Sequence, residues 1–149
     1  MASLPSSSTF PNFSSDNHEI TSPQTPKYNC IAWAAGDDSH WWWPALGFYW
    51  PDGIPRQETM DSFIEAFASL GYEVCNGLHL EHEFEKVVLY ALSGKPTHMA
   101  RQLNDGKWAS KLGKSYDIEH ITPSTVEGAL YGQSILAMRR SRLDVATMK

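Results

Sequence analysis

The chain has 149 residues, 42 % of them hydrophobic and 19 % charged, the composition of one globular domain with a core of its own. A formal charge of −5 speaks against a nucleic-acid surface, which needs clustered Lys and Arg. No run approaches the roughly 18 apolar residues of a membrane span, and MASLPSSSTFPNFSSDNHEI lacks the basic head and apolar core of an export signal, so a cytoplasmic protein without membrane contact is expected.

Residues 1–27 are rich in Ser, Pro and Thr and read as a loosely ordered arm ahead of a single domain over 28–149. Asn29 is a good N-cap for a helix through CIAWAA, and Gly36 can close that helix in a left-handed turn. GDDSHWWWPALGFYWPDGIPRQ reads as a long loop punctuated by Pro44, Pro51 and Pro55. Met60, Phe63, Ile64, Phe67 and Leu70 then fall at helical spacing between Thr59 and Gly71. YEVC (72–75), EKVVLYAL (85–92), THMARQL (97–103), KWASKLG (107–113) and DIEHI (117–121) read as strands. Asn104-Asp105-Gly106 supplies a hairpin turn, because Gly accepts positive φ. Pro123 opens a short helix, with Ser124 and Glu127 as a capping box, and YGQSILAMRR forms a last strand. Arg139, Arg140 and Arg142 are the one dense basic group and read as a solvated tail. Helices followed by an antiparallel β-meander predict an α+β fold.

Cys30 and Cys75 are too few for a disulfide framework and read as reduced thiols. Cys30 is the candidate nucleophile. A first-turn cysteine can be held as thiolate by free N–H groups and the helix dipole, and acyl transfer needs a thiolate. His98, on a strand, is its candidate base. Ser110, on the returning strand, is the nearest group to orient the imidazole, with Asp117 and His120 as rivals. Gln24 could lend an amide to an oxyanion site. The competing reading is a buried, inert Cys30 packed as a small apolar residue.

His79, Glu81 and His82, and Asp37, Asp38 and His40, carry metal-ligand chemistry. Their spacing does not match a helical metal motif, and they read as solvated acidic loops, so no metal or other cofactor is expected. Trp41, Trp42 and Trp43 are consecutive. Successive side chains alternate faces, so some of the three must leave the core, and walling a cleft beside Cys30 is the reading adopted.

The blocks YNCIAWA, DDSHWWWP, FEKVVLYAL, PTHMARQL, WASKLG and DIEHITP together resemble an uncharacterised family of small, mostly bacterial proteins. More distantly, a cysteine at a helix start followed by a histidine on a strand resembles the papain-like fold, in particular the NlpC-type amidases and peptidases of bacterial cell walls. Those enzymes carry a third polar residue on the strand after the histidine strand, where Ser110 stands here. The resemblance implies a papain-like cysteine hydrolase or acyl-transfer enzyme acting on an amide bond, with a peptide or small amide-bearing substrate. The alternative is a non-catalytic binding module whose tryptophan-rich surface docks a ligand or protein partner.

Overall fold

The structure, a computed structural model, describes residues 10–12, 17–22, 27–112, 117–128 and 130–142. The order of elements is β1 (His18–Ser22), α1 (Cys30–Ala35), α2 (Met60–Ala68), β2 (Glu73–Cys75), β3 (Phe84–Leu92), β4 (Lys95–Gln102), β5 (Trp108–Lys111), β6 (Asp117–His120) and β7 (Gln133–Ser141), with a 3₁₀ turn at Pro123–Val126. All seven strands form one antiparallel sheet in the order β1-β6-β5-β4-β3-β7-β2. Two short helices on a largely antiparallel sheet make this an α+β protein.

Each helix begins where its cap residue dictates. The Asn29 side chain accepts the Ala32 N–H, and Gly36 ends α1 in the left-handed conformation at φ 86°. Thr59 accepts the Ser62 N–H to start α2. α2 ends at Ser69 rather than running on to Gly71. The 87–91 stretch of β3 is continuously apolar because it is covered on both sides. Val87 and Leu89 face a core built with Ile31, Phe63 and Phe67 from the helices. Val88 and Tyr90 face a second core with Ala100, Trp108, Ile118 and Tyr131.

Three expectations are corrected. The described part of the N-terminal segment is not merely a loose arm. β1 pairs with β6 through His18↔His120 and Ile20↔Ile118, and Phe10 is fully buried in the second core. Burying an aromatic ring removes a large apolar area from water, which outweighs the polar character of its neighbours. The arginines are not a solvated tail either. Arg139 and Arg140 lie in β7, Arg139 against Glu81 at 2.9 Å and Arg140 against Glu85 at 2.7 Å. Glu127 is no capping-box partner, because its carboxylate accepts the Ser134 N–H and hydroxyl at 2.9 and 2.7 Å.

Phe10→Ala should therefore lower stability by about 3–5 kcal/mol, whereas Leu46→Ser, at a side chain that is 89 % exposed, should shift it by no more than about 0.5 kcal/mol. Urea unfolding of the two variants measures this, and equal stabilities would return the N-terminal segment to the status of an arm.

Candidate active site

Asn29 joins the start of α1 to the tryptophan loop. Its Oδ1 accepts the Ala32 and Trp42 N–H groups, each at 3.1 Å, and its Nδ2 donates to the Trp42 carbonyl at 2.7 Å. Cys30 follows at the first helical position, 6 % exposed. Burial pushes its thiol up to about 11, against the opposing pull of N–H groups from Met99, Ile31 and Cys30 itself and of the Lys111 charge. The helix-start thiolate expected from the sequence is thus a protonated thiol at neutral pH. α1 spans six residues, and the end of so short a helix does not offset desolvation of the sulfur.

On β4, His98 is fully buried. Its Nε2 lies 2.9 Å from the Ser110 hydroxyl, which lies 2.7 Å from His120 Nε2, and His120 Nδ1 lies 2.8 Å from the Thr122 carbonyl. The direction of these bonds follows from chemistry. A carbonyl only accepts, so His120 carries its proton on Nδ1. Burial holds His120 neutral, with its pKa lowered to about 4, so its Nε2 is a bare acceptor. Ser110 therefore donates to His120 and accepts from His98, which puts the His98 proton on Nε2. Burial, and then the proximity of His120, holds His98 well below the usual histidine range. The neutral ring is left with a lone pair on Nδ1. That nitrogen is buried and has no hydrogen-bond partner among the described residues.

The sheet is interrupted where these groups lie. β5 pairs with β4 at Arg101↔Ala109 and Gln102↔Trp108; His98 and Ser110 lie beyond those pairs and meet through their side chains. Thr97 is the extra residue of a bulge on β4, opposite the step from Tyr90 to Ala91, and bulges of this kind bend a strand and re-aim its side chains. The Cys30 sulfur sits in the same place, since the N–H that reaches it from β4 belongs to Met99, the residue after His98. Strand alternation directs Met99 into the helix-side core, while His98 lies against Tyr90 and Tyr131 of the second core. The thiol and the imidazole thus approach the β4 backbone from different sides, next to the bulge.

Cys30 opens into a cleft of about 300 Å³, walled by Trp41, Trp43 and Phe48, with Thr97 and Tyr131 from the sheet side. Trp42 is core. It is 4 % exposed, its indole N–H donates to Asp37 at 2.8 Å, and its ring lies between Tyr49 and Phe67. The tryptophan triplet thus divides by alternation, its outer members walling the cleft and its middle one anchoring the loop. Gln24 lies outside the described residues. Asp117 does not join the imidazole chain: its Oδ2 accepts the Tyr28 hydroxyl at 2.5 Å, and it stands opposite Lys111 in the β5–β6 ladder. Glu81 is held by Lys86 and Arg139 at 2.8 and 2.9 Å, and Asp37 by Trp42, Ser39 and His40. Among the described residues no three His, Cys, Asp or Glu side chains converge as metal ligands, and no helix is long and apolar enough to cross a membrane.

Two site residues escape sequence reading. Lys111 is fully buried and acts electrostatically on Cys30; its alternation within KWASKLG is the only hint that it faces α1. Tyr131 stacks on the His98 ring at 4.0 Å and 10°. It is carried by a turn whose ends, Gly128 and Gly132, exchange backbone hydrogen bonds of 3.0 and 2.8 Å. A Cβ on Gly132 would stand 2.0 Å from the Ala91 carbonyl oxygen, so glycine is needed there for the turn to close against β3.

The chain belongs to the DUF7689 family, a domain of unknown function that matches residues 19–139. No curated protein and no solved structure matches it.

Both imidazoles are held below their ordinary pKa of 6.5, so the unfolded chain takes up these protons first on acidification. Their contribution to stability is full above about pH 6.5 and falls as the pH drops toward the folded values, at up to roughly 1.4 kcal/mol per pH unit for each histidine. Urea midpoints between about pH 7 and pH 5 should fall with this slope, and His120→Gln should make the fall shallower. Midpoints that stay level, or rise on acidification, would show that these rings are not buried neutral.

Proposed function

We propose that this chain is a cysteine-dependent acyl-transfer enzyme that hydrolyses an amide bond, with the papain-like division of labour between a helix-borne thiol and a strand-borne imidazole. One observation carries the reading: the chain from Thr122 through His120 and Ser110 protonates His98 on Nε2 and leaves a lone pair on Nδ1. An unpaired buried polar atom costs about 1–3 kcal/mol, and a native protein retains such a group where it has work to do. A base that must accept a thiol proton needs that tautomer.

The chemistry begins from neutral partners. For the Cys30 sulfur to attack the substrate carbonyl carbon, its proton must reach His98 Nδ1 past the β4 bulge at Thr97, because thiol and imidazole flank that strand from different sides. The imidazolium so formed donates from Nε2 to Ser110, and the Ser110 hydroxyl already donates to His120. The N–H groups around the sulfur and the Lys111 charge favour the developing thiolate. His98 then returns its proton to the departing amine, leaving an acyl thioester on Cys30. Water attacks the thioester, Nδ1 takes one of its protons, and the acid product leaves as the proton passes back to sulfur. Ser110 is a positioning residue, as is His120 behind it. The second reading, a binding module, draws on the apolar cleft and the protonated thiol.

An electrophilic acyloxymethyl ketone that mimics an acyl group separates the two readings. Intact mass should show one adduct on Cys30, retained in Cys75→Ser and absent in Cys30→Ala. In a folded His98→Gln variant the rate should fall by roughly 10²-fold or more, the usual size of a general-base contribution. Labelling at the same rate without His98 would contradict the proposal, and no adduct at all would favour the binding module.

A further inference from the structure

The cleft beside Cys30 has a chemical character of its own. No charged side chain lines it. Of its polar lining groups, Asn29 uses both ends of its amide on Ala32 and Trp42, and the Thr97 hydroxyl donates to the Tyr131 carbonyl; the indoles of Trp41 and Trp43, the Tyr131 hydroxyl and the Cys30 thiol are neutral donors suited to an uncharged carbonyl. The nearest cation of the adjoining loop, Arg56, donates to the Ala45 and Phe48 carbonyls at 2.9 and 3.1 Å. Lys111 lies beneath the Tyr28 ring at 5.5 Å, opposite Asp117, and is not part of the lining. A carboxylate entering the cleft would shed water and meet no cation in the lining, while the Lys111 charge that reaches Cys30 is already opposed by Asp117.

The walls are also preformed. Trp43 stands edge-on to Phe63, with centroids 5.6 Å apart. The loop that carries it is closed by bonds from the Trp43 N–H to the Tyr49 carbonyl and from the Tyr49 N–H to the Trp41 carbonyl, both at 3.0 Å. The volume of about 300 Å³ is roughly twice that of a dry cavity known to take benzene, and at about 30 Å³ per atom corresponds to about ten non-hydrogen atoms.

We infer that the Cys30 cleft receives an uncharged acyl group, aromatic or branched aliphatic and about as large as a phenylpropionyl unit, and discriminates against acyl groups bearing a carboxylate. The inference rests on the acyl-transfer reading for the word acyl; the preference for an uncharged, apolar occupant rests on the lining alone.

Two measurements keep the inference and the acyl-transfer reading apart. In the first, 3-phenylpropionamide and succinamate are titrated into the full chain carrying Cys30→Ser, followed by NMR. The aryl amide should bind at least about tenfold more tightly, and Phe48→Arg, which places a cation at the half-exposed rim, should narrow that ratio. Equal affinities, a preference for succinamate, or no saturable binding of the aryl amide would overturn the inference. In the second, the N-acetylcysteamine thioesters of the same two acids are offered to the unaltered chain and Cys30 acylation is read by mass. Selective acylation by the aryl thioester supports both ideas. Acylation by the two thioesters at equal rates upholds acyl transfer and overturns the inference. Selective amide binding without acylation overturns acyl transfer and leaves the cleft's preference standing.

Discussion

A carbonyl oxygen cannot donate a hydrogen bond, and at Thr122 that fact decides the proton positions of the whole site. It puts a proton on His120 Nδ1, makes His120 Nε2 an acceptor, turns the Ser110 hydroxyl toward it, and requires a proton on His98 Nε2. A hydroxyl is well suited to the middle of such a chain because it donates and accepts at once. An amide would keep two fixed ends, and a carboxylate would bring a charge into a space where burial already holds both rings neutral. The sheet register makes the arrangement possible. Trp108 stands opposite His120 and Ser110 opposite Ile118, so Ser110 and His120 are diagonal neighbours on one face of β5 and β6.

The same burial acts on acid and base in opposite directions. It raises the Cys30 thiol and lowers the His98 imidazole, so the resting pair is neutral on both members. Each desolvated group resists charge, yet charge separation is what the proposed reaction needs. The Met99 and Ile31 N–H groups and Lys111 supply part of the compensation around sulfur, and the hydrogen-bonded histidine chain supplies it around the imidazolium. For the proposed acyl transfer, a thiol of this kind needs a correctly seated electrophile, and the aromatic walls are placed for that seating. Trp42 ties the loop to the core, and Trp41 and Trp43 on either side of it face the opening.

Local chemistry was readable from the residues, and long-range pairing was not. Asn29 and Gly36 set both ends of α1 through capping physics confined to a few residues. The Asn104–Gly106 turn placed Ser110 across from the His98 strand, and the two side chains do meet. β1 stayed hidden because its partner, β6, lies about a hundred residues away and its own composition is polar. Arg139 and Arg140 looked solvated because Glu81 and Glu85, which neutralise them, come from another part of the chain. The position of Lys111 beside Cys30 depends on where α1 lands on the sheet, and its own segment does not state that. Cys30 illustrates the limit of a local rule: the helix-start position was read correctly, but the burial that dominates its pKa comes from tertiary packing.

The central claim is that His98 is a neutral ring with its proton on Nε2 and a bare Nδ1. Nitrogen-15 NMR of histidine-labelled protein, assigned by comparison with His98→Gln and His120→Gln, tests it directly. The account predicts an acceptor-type Nδ1 and a protonated Nε2 for His98 at neutral pH, and the opposite tautomer for His120. A His98 ring protonated on Nδ1, or carrying both protons at neutral pH, would contradict it.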